Sequence, residues 1–445
     1  MWEGYPDGRG ECETGGERGK ALRECLSFPS MERKTKIVAT LGPATDSEDA
    51  IGALIEAGMN VARLNFSHGT LEDHERRFNM VRSVADELDR PVAIMQDIQG
   101  PKIRVGEFPD GEVELVDGAE ITVLPGSGTG DAERVYVAYL ENVRMEVGGK
   151  ILLADGLIEL EALAVSDDAI RAKVVSGGVL ADHKGAAFPG AVTTVPVVTD
   201  KDEDDLEFGR TLGFDLLAAS FVNTGRDIRQ VREVAGDTPI IAKIETAVGY
   251  ANLDSILEEA AGAMVARGDL GVELSLESVP GAQNDILHRT NAAGKISITA
   301  TEMLESMIST PRPTRAEVTD VYRSVMDGTD AVMLSAETAI GAYAARAVRV
   351  MSVICKEAEG SADWRRAAGI SNLTAGAAFA SATAEASVDT ADRLKLKTIV
   401  AFTESGTTAR LLSKYRPRAD VYVFTPKVST YRLMAAYGGV QPMLL

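Results

Sequence analysis

IIAKIETAVGYANLDSILEEAAGAMVARGD, residues 240–269, holds two short apolar runs, IIAKIE (240–245) and GAMVARGD (262–269), with a turn and a stretch of helical length between them. Each run stops on charge: Lys243 with Glu245, then Arg267 with Asp269. The same rhythm runs through TKIVATLG (35–42), NVARLNFS (60–67), VAIMQDI (92–98), LLAASFV (216–222), ISITATEM (296–303) and AVMLSAET (331–338). Intervening stretches such as EDAIGALIEAG and LEDHERRFNMVRSVADEL carry apolar residues at helical spacing. Strands alternating with helices in this way predict an α/β fold, a parallel (β/α)8 TIM barrel. The competing arrangement, an open doubly wound sheet, rarely places polar residues at the end of every strand.

One interval breaks the rhythm. Residues 106–194 carry EVELVDGAEITVLPG, VYVAYLENV, ILLADGLIELEALAV and AIRAKVVSGG, short alternating strands between Gly and Asp turns. They predict an all-β lid domain, itself a small β-barrel, inserted after the third barrel strand. The barrel is thereby split into 31–105 and 195–360. Residues 361–445 read as a C-terminal α/β domain, expected to lack its own last elements. Residues 1–30 are Gly-rich and polar without the apolar centre of a signal peptide, so a disordered extension is expected there, upstream of a start at Met31. In STPRPTRAEV, Thr314 and Glu317 fit a capping box.

Lys and Arg total 46 against 67 Asp and Glu, a formal net charge of −21. That field opposes nucleic acid and anionic membrane as partners, so a phosphorylated substrate needs cations gathered locally. Cys12, Cys25 and Cys355 form neither a disulfide framework nor zinc spacing, which suits the cytoplasm. No apolar run is long enough to cross a membrane.

In a barrel the strand ends converge on one face. There stand Thr40, Arg63 with Asn65 and Ser67, Asp97, Lys243 with Glu245, Arg267 with Asp269, Thr301 and Ser335. Glu245 and Asp269 can share a hard cation such as magnesium; alternatively they are simply neutralised by Lys243 and Arg267. Lys243 suits the charge of a moving phosphoryl group or, without metal, a Schiff base. Arg63 and Arg104 offer planar forks for phosphate.

These residues resemble the pyruvate kinase family. The likeness runs in order through TKIVATLGPAT, NVARLNFSHG, DIQGPKIRVG, IIAKIET, MVARGDLGVE, ITATEMLESM, STPRPTRAEV and DAVMLSAETA. It implies phosphoryl transfer from phosphoenolpyruvate to ADP, giving pyruvate and ATP in glycolysis. Lys243 then steadies the phosphoryl group, Arg63 contacts it, and Glu245 and Asp269 bind Mg2+ or Mn2+. The backbone of Ala266, Arg267 and Gly268, with the Thr301 hydroxyl, holds the substrate carboxylate. Thr301 and Ser335 join the chain that protonates the enolpyruvate. Thr40, Pro43, Asn65, His68, Arg104, Asp155 and Lys184 handle the nucleotide or close the lid over it; His68 equally suits a structural role.

Members that need potassium bind it through positions matching Asn65, Ser67, Asp97 and the residue after, usually threonine, with glutamate where Lys102 stands. Ile98 and Lys102 resemble the members that do without it, so K+ is expected not to be required and Lys102 to substitute for it near Asp97. The alternative for Lys102 is a solvated loop lysine. Glu302 and Ala336 stand where glutamine and glycine are usual. The loop of Thr403, Ser405, Gly406, Thr407 and Thr408 matches an effector-phosphate loop, or is a plain helix cap. A homotetramer is the family expectation. The rival readings are a metal-dependent 2-keto acid lyase or aldolase and an inactive phosphometabolite-binding paralogue.

Overall fold

The computed structural model describes residues 31, 33–364, 373 and 378–445, so the expected extension over 1–30 lies outside the described residues. Strands β1 (Lys36–Leu41), β2 (Val61–Asn65), β3 (Ala93–Asp97), β4 (Leu216–Ala219), β5 (Ile240–Ile244), β6 (Gly262–Ala266), β7 (Ile296–Ala300) and β8 (Ala331–Leu334) each fall inside one of the apolar runs. They pair in parallel in chain order, and β1 closes the ring by meeting both β2 and β8. Both strand faces are buried, one by helices and one by the barrel interior, which is why the runs are mostly apolar, with polar side chains such as Gln96, Ser297 and Thr299 buried among them. Helix starts follow local chemistry. Thr314 and Glu317 form the expected reciprocal cap on Arg315–Met326, with Thr314 N–H on Glu317 Oε2 at 2.6 Å. Thr70 and Asp73 do the same for Leu71–Glu87.

The inserted segment is all-β around its own apolar cluster, including Val123, Val135, Ile151, Leu153 and Leu160. Its strands pair as one six-stranded sheet with two separate two-stranded ribbons, Gly178–Ala181 with Glu112–Leu115 and Val192–Thr193 with Val143–Arg144. Each ribbon consists of two short strands that pair only with one another.

The C-terminal unit is a three-stranded parallel sheet, β9 (Thr398–Phe402), β10 (Asp420–Thr425) and β11 (Val440–Leu444), with helices Ala378–Arg393 and Thr407–Lys414. It joins the barrel at the strand starts, opposite the face where polar residues gather. Lys414, 1% exposed, donates to Asp330 just before β8 and to Asn291 Oδ1 at 2.7 Å. Arg416 donates to the Gly328 carbonyl, and Lys36 Nζ donates to the Val440 carbonyl at 2.7 Å. Burial pushes the Lys414 pKa down to about 8, against the pull of Asp330. Among the described residues, Lys414→Met leaves buried Asp330 only the longer Arg416 ion pair at 3.5 Å, so it should cost about 3 kcal/mol of unfolding free energy, read from urea titrations.

A pH effect is built in at His74. Its ring stacks on Phe66 at 3.9 Å, and burial, aided by nearby Arg77, lowers its pKa from 6.5 to about 4. The unfolded imidazole therefore takes up a proton before the folded one. Stability should fall as pH drops from about 6.5 towards 4. His74→Phe keeps a stacked ring and removes the titration, so urea midpoints should become flatter across that window.

Candidate active site

Alternation along each strand decides which side chains enter the barrel mouth. Register then sets neighbours: Thr40 lies beside Arg63, Asn65 beside Asp97, and Asp97 beside Ala218 on β4. From this frame four charges interleave. Arg63 Nε donates to Asp97 Oδ2 at 2.6 Å, and its Nη1 to Thr40 Oγ1 at 2.9 Å. Lys243 Nζ stands 3.3 Å from Asp97 Oδ1 and 3.0 Å from Glu245 Oε1, and donates to Ser220 Oγ at 2.6 Å. Glu245 Oε2 accepts the Phe221 N–H at 2.6 Å.

The electrostatics follow from burial and neighbours. Burial opposes charge on Asp97, yet Arg63 and Lys243 outweigh it and hold the carboxyl below its usual range. Burial also opposes charge on Lys243, and Asp97 and Glu245 overcome it, so the ammonium is raised. For Glu245 the balance reverses. Burial, with repulsion from Asp269, raises its carboxyl despite Lys243.

Glu245 and Asp269 both line a cleft between barrel and lid, shared with Lys102, Asp155, Gly185 and Phe188 and holding about 860 Å³ including its open mouth. A buried carboxylate with a second one beside it suits a hard divalent cation. Among the described residues no group of three or more His, Cys, Asp or Glu side chains is placed to hold a metal. Glu245 and Asp269 would thus be its only side-chain ligands of these types, leaving other positions for substrate and water.

Asp269 is partnered by Lys102, Nζ to Oδ1 at 2.8 Å, and not by Arg267. Arg267 turns away to Asp320 at 2.6 Å and to the Thr301 carbonyl at 2.6 Å. Its fork also reaches the carbonyls of Ala300 and Glu302, bracing a turn in which Thr301 and Glu302 take φ of 66° and 52°. Gly268 N–H donates to Thr301 Oγ1 at 2.9 Å, tying Ala266–Gly268 to the end of β7. Ser335 is placed by buried Glu337, whose carboxylate accepts the Ser335 N–H at 2.7 Å and the Leu304 N–H at 3.0 Å.

The expected place of Lys102 beside Asp97 needs correcting. Asp97 is already engaged by Arg63 and Lys243, so the Lys102 ammonium settles on Asp269, with lid residue Asp155 3.9 Å away. Asn65 Oδ1 accepts the Ser67 N–H, and His68 is exposed beyond them. Pro43 is exposed in the one-turn helix after β1. Arg104 donates to the His183 carbonyl at 2.9 Å, beside exposed Lys184. The loop of Thr403 to Thr408 belongs to the C-terminal unit: Thr403 Oγ1 accepts the Gly406 N–H at 3.0 Å, and the Ser405 and Thr407 hydroxyls share a bond. Sequence reasoning missed Ser220 and Phe221. The signal was available: Ser220 is the first polar residue after the apolar LLAA, at the one strand end from which no polar group had been collected.

Two family models match the chain, the pyruvate kinase barrel domain over residues 32–348 and the pyruvate kinase alpha/beta domain over 381–445. A pyruvate kinase of Staphylococcus aureus is 43% identical over 419 residues, 93% of this chain and 72% of that protein. One of Staphylococcus saprophyticus is 43% identical over 420 residues, with the same shares covered. The crystal structure of a pyruvate kinase from Cryptosporidium parvum superposes with a TM-score of 0.87 at 36% identity, covering 95% of this chain and 91% of that one.

Arg267→Lys keeps a charge for Asp320 but withdraws the fork from the carbonyls. The expected loss is about 1–3 kcal/mol of stability, measured by denaturant unfolding, with Asp320→Asn costing less.

Proposed function

The chain belongs to the pyruvate kinase family and transfers the phosphoryl group of phosphoenolpyruvate to ADP, and from that premise we propose how its own residues do so. The observation that carries the assignment of roles is the interleaved set Arg63, Asp97, Lys243 and Glu245. Lys243 is the catalytic cation. Fixed by two carboxylates and the Ser220 hydroxyl, it needs no reorganisation to meet charge on a phosphoryl group in flight. Arg63, oriented by Asp97 and Thr40, contacts the same group. Glu245 and Asp269 hold Mg2+ or Mn2+, which when bound supplies Lewis-acid charge to substrate oxygens.

The Thr301 turn braced by Arg267 positions the hydroxyl that, with the Ala266–Gly268 backbone, seats the substrate carboxylate. Thr301 and Ser335 take part in protonating the enolpyruvate. Thr40, Pro43, Asn65 and His68 from the barrel, with Arg104, Asp155 and Lys184 from the lid side, handle the nucleotide. Buried Ile98 brings no hydroxyl beside Asp97, and Asp97 already carries two cationic partners, which supports activity without K+. Lys102 supplies a fixed positive charge to the same cleft. The Thr403–Thr408 loop binds an effector phosphate, the enzyme assembles as a homotetramer, and it works in the cytoplasm. Among the described residues no helix is long and apolar enough to cross a membrane.

Two measurements test this. Lys243→Met should lower pyruvate release from phosphoenolpyruvate, ADP and magnesium by at least about 1,000-fold with an unchanged circular dichroism spectrum; near-normal turnover would remove the lysine from the mechanism. Turnover in KCl and in tetramethylammonium chloride at equal ionic strength should agree within about twofold. Tenfold activation by potassium would sink the K+-independent reading.

A further inference from the structure

Lys102 sits between barrel and lid. Its ammonium is 2.8 Å from Asp269 Oδ1 on the barrel and 3.9 Å from Asp155 Oδ1 on the lid. Its stem lies against Gly185 of the lid, where an added Cβ would meet Lys102 Cε at 3.3 Å and Asp155 Oδ1 at 3.0 Å. Gly185 in turn bridges Arg104, and its carbonyl accepts the Ala154 N–H at 2.9 Å. The turn carrying Asp155 takes left-handed backbone, φ 51° at Ala154 and 55° at Asp155, and its carboxylate is largely exposed.

The other carboxylates near this mouth are engaged elsewhere, Glu273 of the same cleft by the Ala247 backbone. Asp97 faces Arg63 and Lys243, and Glu245 faces Lys243 and the Phe221 N–H. We propose that Lys102 is a latch coupling divalent-cation loading at Asp269 to the position of the lid. Without metal, Asp269 holds the ammonium. Once Asp269 is engaged by a divalent cation, like-charge repulsion frees Lys102, and Asp155 is the carboxylate within reach. Pairing there draws the Asp155–Gly185 edge of the lid onto the barrel before any nucleotide arrives. The inference rests on the assignment of Glu245 and Asp269 as metal carboxylates.

The experiment uses the full chain with neither phosphoenolpyruvate nor nucleotide. Amide hydrogen exchange of lid segments 150–157 and 183–188 is measured with and without Mg2+, and Mn2+ binding is followed by electron paramagnetic resonance. In the wild type, Mg2+ should slow exchange in both segments at least about threefold. Lys102→Met should abolish that protection yet bind Mn2+ about tenfold more tightly, since the competing ammonium is gone. Asp155→Asn should also abolish it and, because coupling is reciprocal, weaken Mn2+ binding about threefold. Protection that survives Lys102→Met, or unaltered Mn2+ affinity in that variant, overturns the latch. An Asp269→Asn arm separates the premise: Mn2+ binding undiminished in that variant overturns the metal assignment and the latch together.

Discussion

Asp97 can be buried at the barrel mouth only because cations from two other strands reach it. Arg63 comes from β2 and Lys243 from β5, and Lys243 is in turn answered by Glu245. An isolated charge at such depth would be prohibitive, whereas alternating charges in contact compensate one another. The arrangement therefore demands a particular register across β2, β3, β4 and β5. The catalytic charge pattern and the closure of the barrel are one requirement. Its members arrive already oriented, which is the condition under which charge acts most strongly on a reacting group.

The eight barrel strands were legible because burial on both faces keeps the runs mostly apolar. Their polar ends were legible for the same reason, as abrupt departures from apolar sequence. What the sequence hid was direction. Nothing in MVARGDLGVE says that Arg267 turns back to brace the Thr301 carbonyl instead of neutralising Asp269. Nor does DIQGPKIR show that Lys102, following the φ 64° turn at Gly100, leans towards the lid and away from Asp97. Both depend on loops whose course is set by contacts far away in the chain. Ser220 was missed although it is the first polar residue after LLAA, and its oxygen helps seat Lys243. The lid's pairing scheme was hidden too, since alternation marks strands but not their partners.

An envelope with a net charge of −21 is a poor general attractor for phosphorylated anions. Arg63, Lys102 and Lys243 instead stand at the mouth itself, each paired to a carboxylate. The site offers cations placed for direct contact while the surface remains repulsive at long range. Discrimination then rests on contact geometry rather than on field.

The cluster of Lys414, Arg416 and Asp330 lies at the other end of the barrel. Asp330 directly precedes β8, the strand that leads to Ser335, and Lys414 closes the helix that begins beside Gly406. A designer wishing to exchange this C-terminal unit for another would not find a neutral seam. The cut would fall through a salt cluster whose halves are each insoluble in the apolar interior without the other. Modularity visible in the chain's order thus stops short of interchangeability, and the two parts can change over generations only in step.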